Sequence, residues 1–318
     1  MIHTCVLYVS RYGSTRDIAQ ALARILGPAR ASPLEEFTAA SCTCEFVVIG
    51  TPVFGEVPDP HVTRFAEENR EWLAQRKVAL FTSSLAPDSR GRYRASLSRL
   101  IGPSLVSGAS LGGRLDVASL DTTDRATMEA FANTTGTLLN NADTLDWSAV
   151  AAWGLQLKEI RDSLGCHLGS GQLRSEIEQF LCSHNTCALA TASHVGVRAT
   201  PIEYVYARGC LYFLSEGGAK FANLLLNPHV SVCIFDPYHT MADVAGLQLM
   251  GTARLVDSQE ADADGVLEAQ HLTHEKLGQL PFDLNIIEVR LERAELLLSA
   301  LSKRGVDSRQ IYDFTRSP

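Results

Sequence analysis

The residues Ser10-Arg11-Tyr12-Gly13-Ser14-Thr15 carry four hydroxyl groups around one glycine, and they open directly onto a segment with apolar residues at Ile18, Ala19, Leu22, Ala23, Ile25 and Leu26. That spacing predicts a helix over 14–26. Hydroxyls, backbone amides and the positive end of a helix together suit a phosphate monoester. The loop lacks the glycine spacing of GxGxxG and the lysine of a P-loop. A second glycine-bearing turn, Ser215-Glu216-Gly217-Gly218-Ala219-Lys220, leads into Phe221-Ala222-Asn223-Leu224-Leu225 and adds an ammonium group suited to a dianionic phosphate. No Ser-His-Asp order, paired-carboxylate pattern or metal motif dictates hydrolysis. The chemistry therefore falls to a cofactor, which the protein positions and polarises.

Two kinds of segment must hold these turns. In the first half, short apolar runs at 2–10, 46–49 and 78–81, with a weaker one at 105–111, alternate with helical patterns at 60–75, 92–101, 122–141 and 146–164. Such alternation predicts an α/β doubly wound parallel sheet covered on both faces. Asp146 is the expected N-cap of the last helix, with Trp147, Val150, Trp153, Leu157 and Ile160 as its buried stripe. Ligands in open parallel sheets sit beyond the carboxyl ends of the strands, so the loops after the runs at 2–10, 46–49 and 78–81 are the candidates. The segment 165–171, Gly-Cys-His-Leu-Gly-Ser-Gly, marks a linker between domains at 1–164 and 172–318. Beyond it, one helix at 172–184 precedes strands at 186–192, 198–206, 210–214, 230–235, 246–255 and 284–298. Turns at Gly196 and Gly209 make antiparallel hairpins, and strands without crossover helices imply a closed antiparallel barrel.

The order Ser10-x-x-Gly13-Ser14-Thr15 resembles the phosphate loop of the flavodoxin family. Val47-Val48-Ile49-Gly50-Thr51-Pro52-Val53-Phe54-Gly55 is similar to that family's second flavin loop, and Pro58-x-Pro60 with Val62-x-x-Phe65 to the helix that follows it. The likeness continues through Ala79–Leu85 and Asp146-Trp147-x-x-Val150, and the branch it looks most like is the flavodoxin-type protoporphyrinogen oxidases. It implies flavin mononucleotide (FMN) held by Ser10–Thr15, by Thr51, Pro52, Val53, Phe54 and Gly55, and by Ser83, Ser84 and Leu85. Typical flavodoxins stack an aromatic of the third loop on the flavin ring; here Ser83–Arg92 offers none before Tyr93.

The second half resembles the pyridoxamine 5′-phosphate oxidase-like split barrels. The stretches that carry the resemblance are Leu189–Ala192, Arg198–Ile202, Leu211–Leu214, Lys220-x-x-Asn223-Leu224, Asn227–Val232 and Gly246–Ala253. It implies Arg198, Ala199, Thr200, Pro201 and Ile202 along a second flavin, Ser215 and Lys220 near its phosphate, and a homodimer through the barrel. Some members of that superfamily bind haem or a deazaflavin instead.

A chain of 318 residues suits two domains. Its net charge of −8 argues against a nucleic-acid partner. No apolar run approaches the roughly 20 residues that span a bilayer, and no signal-type segment precedes the first strand, so a cytoplasmic location is expected. Eight cysteines lie at 5, 42, 44, 166, 182, 187, 210 and 233 without metal-type spacing, and they are taken as small apolar residues with no metal role. His271-x-x-His274 lacks further ligands and is taken as surface. The expectation is an FMN-dependent oxidoreductase or electron-transfer protein with one or two flavins and an unidentified electron donor or acceptor. Haem or porphyrin redox chemistry and a non-catalytic flavin-binding sensor are the alternatives.

Overall fold

The computed structural model describes residues 2–39, 42–86, 88, 91–256, 261–270 and 272–316, so His271 of the histidine pair lies outside the described residues. The chain divides into two compact units, 2–165 and 166–318.

In the first unit the elements run β1 (Thr4–Tyr8), α1 (Ser14–Leu26), β2 (Ala29–Pro33), β3 (Phe46–Phe54), β4 (Val57–Pro58), α2 (Pro60–Glu68), α3 (Arg70–Ala74), β5 (Lys77–Ser83), α4 (Ala95–Ile101), β6 (Leu105–Ser110), β7 (Arg114–Leu115), α5 (Thr122–Thr135), β8 (Ala142–Asp143) and α6 (Trp147–Asp162). Five parallel strands form a sheet in the order β2-β1-β3-β5-β6. The order reverses between β1 and β3, which opens a crevice at their carboxyl ends. Alternate residues of each strand feed two cores. Val6, Phe46, Val48, Ala79 and Phe81 meet α1 and α6 on one face, while Leu7, Val47, Ile49, Val78 and Leu80 meet the α2–α4 side on the other. Gly50 sits where β3 crosses the Phe81 ring; a Cβ there would lie 2.2 Å from the ring.

Several local details differ from the sequence expectation. The strand β2, Ala-Arg-Ala-Ser-Pro, is half polar and gives no apolar run, but parallel pairing along the whole of β1 holds it at the sheet edge. The helix expected over 60–75 breaks at Asn69, whose amide donates to the Phe65 carbonyl at 3.0 Å and competes with the helix ladder. The helix expected over 122–141 stops at Thr135, because Gly136 takes a left-handed C-cap at φ 67°. Asp146 caps α6 by accepting from the amides of Ser148 and Ala149, but Trp147, at the first helical position, is half exposed rather than in the stripe.

In the second unit α7 (Ser170–Ser183) is followed by β9 (Thr186–Ser193), β10 (Gly196–Glu203), β11 (Val205–Ala207), β12 (Cys210–Ser215), α8 (Ala219–Leu224), β13 (His229–Phe235), β14 (Ala245–Val256), α9 (Ala261–Ala269), α10 (His274–Gly278), β15 (Asn285–Leu298) and β16 (Arg309–Asp313). The antiparallel sheet runs β10-β9-β13-β14-β15-β12-β11, with β16 on β15. Its core is built from Leu189, Leu211, Phe213, Val232, Leu249, Ile287, Val289 and Leu296, covered by Leu173, Ile177 and Leu181 of α7.

The barrel is split rather than closed by hydrogen bonds. β10 pairs with β9 at one end of the sheet and β11 with β12 at the other. The chain bends between them at buried Tyr204, whose amide donates to the Asn185 carbonyl at 2.8 Å and whose hydroxyl donates to the Leu181 carbonyl at 2.9 Å. The chain, not a ladder, closes the curl, and the free edge of β10 follows from that bend.

Candidate functional site

A cavity of about 430 Å³ lies at the carboxyl ends of β1, β3 and β5. That volume falls in the range of about 300–1,000 Å³ typical of small-molecule sites. Three loops meet there: Ser10–Thr15 after β1, Pro52–Glu56 at the end of β3, and Ser83–Ala86 after β5. Gly113–Leu115 and one side of α5 complete the wall.

One end of the cavity is built for an anion. Gly13 takes φ 94° just before α1, and no side chain caps the first turn of that helix. Its leading amides are therefore open to a ligand. The Gly13 amide donates to Ser10 Oγ at 3.2 Å, which shapes the turn. Ser14 Oγ accepts from the Arg114 amide at 2.9 Å and so ties the loop to the chain after β6. Thr15 lines the cavity at 2% exposure, and no group among the described residues takes its hydroxyl. Asp17, in the first turn, is ion-paired with Arg16 and Arg114, which removes its repulsion for an incoming anion.

The lining also carries aromatic side chains: Tyr12, Phe54, Tyr93 and Phe131. Tyr12 and Phe54 meet edge to face at 6.5 Å, and the Arg11 guanidinium lies 5.2 Å over the Phe54 ring. Asp124 of α5 accepts from Tyr12 Oη at 2.5 Å and from Arg11 Nη1 at 2.6 Å. The Tyr12 hydrogen bond, then Arg11, hold the Asp124 carboxyl below its ordinary range, while burial and the Asp124 bond raise the Tyr12 phenol. α5 is thereby fastened to the first loop.

Of the residues singled out in the first domain, Ser10, Arg11, Tyr12, Ser14, Thr15, Pro52, Val53, Phe54, Gly55, Ser83, Ser84 and Leu85 all border this cavity. Two do not. Gly13 shapes the turn, and Thr51 is fully buried behind the second loop, donating to the Pro52 carbonyl at 3.0 Å and accepting from the Asp59 amide at 3.0 Å. Ser83 Oγ and the Ser84 amide both donate to the Gly112 carbonyl, at 2.9 and 3.2 Å, which fixes the third loop. Sequence reasoning missed Tyr93, Gly113–Leu115, Asp124 and Phe131. Tyr93 lies just beyond the expected loop, and the α5 residues belong to a helix with no motif of its own.

The barrel candidates are more dispersed. Arg198, Ala199 and Pro201 are exposed on β10, while Thr200 and Ile202 are half-buried. The Thr200 hydroxyl is buried without a hydrogen-bond partner among the described residues. Ser215 and Lys220 are buried, and both turn onto one carbonyl: Lys220 Nζ donates to Gly217 O at 2.6 Å and Ser215 Oγ to the same oxygen at 3.2 Å. Burial, and secondarily the charge of Arg198, depresses the Lys220 pKa.

Comparisons with known proteins accord with this division. A family model described as a flavodoxin domain matches residues 5–138, and one described as pyridoxamine 5′-phosphate oxidase matches residues 173–298. The chain joins a flavodoxin domain to a pyridoxamine 5′-phosphate oxidase-type domain. No curated protein matches it. Similar solved structures include the haem storage protein HutZ from Vibrio cholerae, at 20% identity over 39% of this chain and 92% of that one with a TM-score of 0.33. ChuZ from Campylobacter jejuni is 13% identical over 55% of this chain and 74% of that one, with a TM-score of 0.38. A FAD-binding protein from Mesorhizobium loti is 17% identical over 37% and 89%, with a TM-score of 0.32. At these values the likenesses carry no functional argument. No helix among the described residues is long and apolar enough to cross a membrane.

Proposed function

We propose that the flavodoxin domain binds FMN in the cavity beyond β1, β3 and β5, and that the chain is a flavin-dependent redox protein. The observation that carries this reading is the pairing, in one cavity, of an uncapped helix N-terminus beside a Thr15 hydroxyl that no described residue takes with four aromatic side chains in the lining. A phosphate monoester fits the first feature and a planar, weakly polar ring system the second. Ser10, Ser14, Thr15 and the first amides of α1 hold the phosphate. Phe54, Tyr93, Tyr12 and Phe131 enclose the ring, which replaces the third-loop aromatic that Ser83–Arg92 lacks. FMN supplies one- and two-electron transfer when bound. The protein would orient it and line its site with hydroxyls and aromatics.

A second flavin in the barrel, near Lys220, Ser215 and Arg198–Ile202, is part of the proposal. It rests on the buried Lys220 ammonium and on the buried Thr200 hydroxyl, which has no hydrogen-bond partner among the described residues. A homodimer through the barrel would cover the exposed Val195, Val197, Leu225 and Leu226.

The absorption spectrum of the purified chain tests the reading, followed by anaerobic reduction. Flavin bands that bleach with NAD(P)H support an oxidoreductase, and bands that bleach only with a strong chemical reductant support an electron carrier. Bound flavin that neither donates nor accepts electrons in turnover leaves a sensor. Protoporphyrin fluorescence after incubation with protoporphyrinogen tests that substrate. A Soret band without flavin bands overturns the proposal in favour of haem.

A further inference from the structure

At the other end of β1 from the cavity, the fold brings Cys5 beside two thiols distant from it in the sequence, Cys42 and Cys44. Cys5 lies on β1, and Cys42 and Cys44 lie in the segment that leads to β3. The parallel register sets Thr4 opposite Phe46, and the His3 carbonyl accepts from the amides of Glu45 and Phe46 at 3.0 and 3.2 Å. The start of β1 is thereby pinned beside the approach to β3. Cys5 Sγ then lies 3.3 Å from Cys42 Sγ, Cys42 Sγ lies 3.1 Å from Cys44 Sγ, and all three sulfurs fall within 4.8 Å of one another. Cys44 is buried, and the other two are half-buried.

Arg76 holds the loop that carries two of them. Its Nε donates to the Cys44 carbonyl at 2.8 Å, Nη2 to the Cys42 carbonyl at 3.5 Å and Nη1 to the Trp72 carbonyl at 2.6 Å. The guanidinium also lies 4.1 Å over the Trp72 ring. A fixed positive charge therefore stands against the loop that carries Cys42 and Cys44, where it favours thiolates.

A disulfide would use two of the three thiols and leave one over, whereas a metal ion uses all three. With a metal–sulfur bond of about 2.3 Å, sulfurs around a tetrahedral ion stand about 3.8 Å apart, so the two pairs that share Cys42 need to spread by only about 0.5 and 0.7 Å. Thiolates select soft, filled-shell ions. We propose that Cys5, Cys42 and Cys44 form a binding site for one thiophilic ion, zinc(II) or copper(I), separate from the flavin cavity. Binding releases the thiol protons to solvent. Zinc completes its shell with water, and copper(I) is satisfied by three sulfurs. Cys5 is five residues of strand from the Ser10 loop, roughly 15 Å, so occupancy of the two sites is read independently.

The test uses the reduced, metal-free full chain, titrated with zinc(II), and anaerobically with copper(I), against a chromophoric chelator. One ion per chain is expected, with affinity at least about 10-fold above that of Cys42→Ser, since removing a ligand costs no less than removing its outer support. Thermal melting of Cys42→Ser checks that the variant is folded. A second measurement needs no variant: alkylation mapped by mass spectrometry should show Cys5 and Cys42 protected by the ion while exposed Cys166 and Cys182 react as before. Preference for one ion identifies it. The proposal is overturned if neither ion protects Cys5 and Cys42, or if Cys42→Ser binds as tightly as the wild type. A reduced chain that binds neither ion and oxidises instead to a disulfide among these three overturns it as well.

Discussion

Thr15→Val removes one oxygen from the proposed phosphate site and changes little else. Thr15 is 2% exposed at the start of α1, and valine has the same branched shape in a position where threonine already adopts helical geometry. Because the hydroxyl has no partner among the described residues, its loss breaks no bond to them, and the apo melting transition should stay within about 0.5 kcal/mol of the wild type. A hydrogen bond to a charged group contributes about 1.5–3 kcal/mol, so the FMN dissociation constant should rise roughly 10- to 150-fold. Equilibrium titration followed by flavin fluorescence measures this, and Thr15→Ser, which keeps the hydroxyl, should recover most of the loss. An unchanged FMN affinity in a folded Thr15→Val protein would refute the assignment of this loop to the phosphate.

Other expected outcomes follow from the same geometry. Phe131 borders the cavity at 61% exposure, so Phe131→Ala should leave stability nearly unchanged while weakening FMN by about 0.5–1.5 kcal/mol; equal effects on both would make it an ordinary surface residue. The Asp124 carboxyl is held below its ordinary value of 3.8, so its bonds to Tyr12 and Arg11 stabilise the folded state fully above that pH and are lost as pH falls through the lower folded value. The melting difference between wild type and Asp124→Asn should therefore be flat from about pH 5 to 8 and shrink only in stronger acid. Lys220 has the opposite sign: its folded pKa lies below 10.5, so the charged form is disfavoured in the barrel and stability rises with pH between the folded value and 10.5. Lys220→Met should therefore melt no lower than wild type at neutral pH, with the gap narrowing toward pH 10.5, and should reduce flavin content from two per chain to one if the barrel holds the second.

What the sequence made legible was whatever rests on local periodicity and turn chemistry. The α1 span, the Asp146 cap and the β3 and β5 cores follow from apolar spacing within a few residues. So does the first loop, because a strand that ends in hydroxyls and glycine before a helix has few other uses. The places of the second and third loops followed from the strand and helix alternation, but their individual residues came only through family resemblance, which does not distinguish a residue lining the cavity from one such as Thr51 that supports it from behind. β2 was illegible because an edge strand held by pairing needs no apolar run. The α5 wall was illegible for a different reason: Asp124 and Phe131 reach the cavity only through the tertiary placement of a polar helix, fastened by Tyr12 and Arg11 more than 110 residues earlier. The same is true of the cysteines. Cys5 and Cys42 are 37 residues apart, and only the parallel pairing of β1 with β3 makes them neighbours.

The most direct measurement is a pair of titrations of the full-length, flavin-free chain, one with FMN and one with riboflavin, which differs only in lacking the phosphate. The α1 amides, Ser10 and Thr15 should each contribute a charge-assisted hydrogen bond. FMN should therefore saturate at one or two per chain, with an affinity at least about 100-fold above that of riboflavin, the equivalent of two such bonds. Equal affinities for the two, or no saturable binding of either, would contradict a phosphate-anchored flavin in the flavodoxin domain.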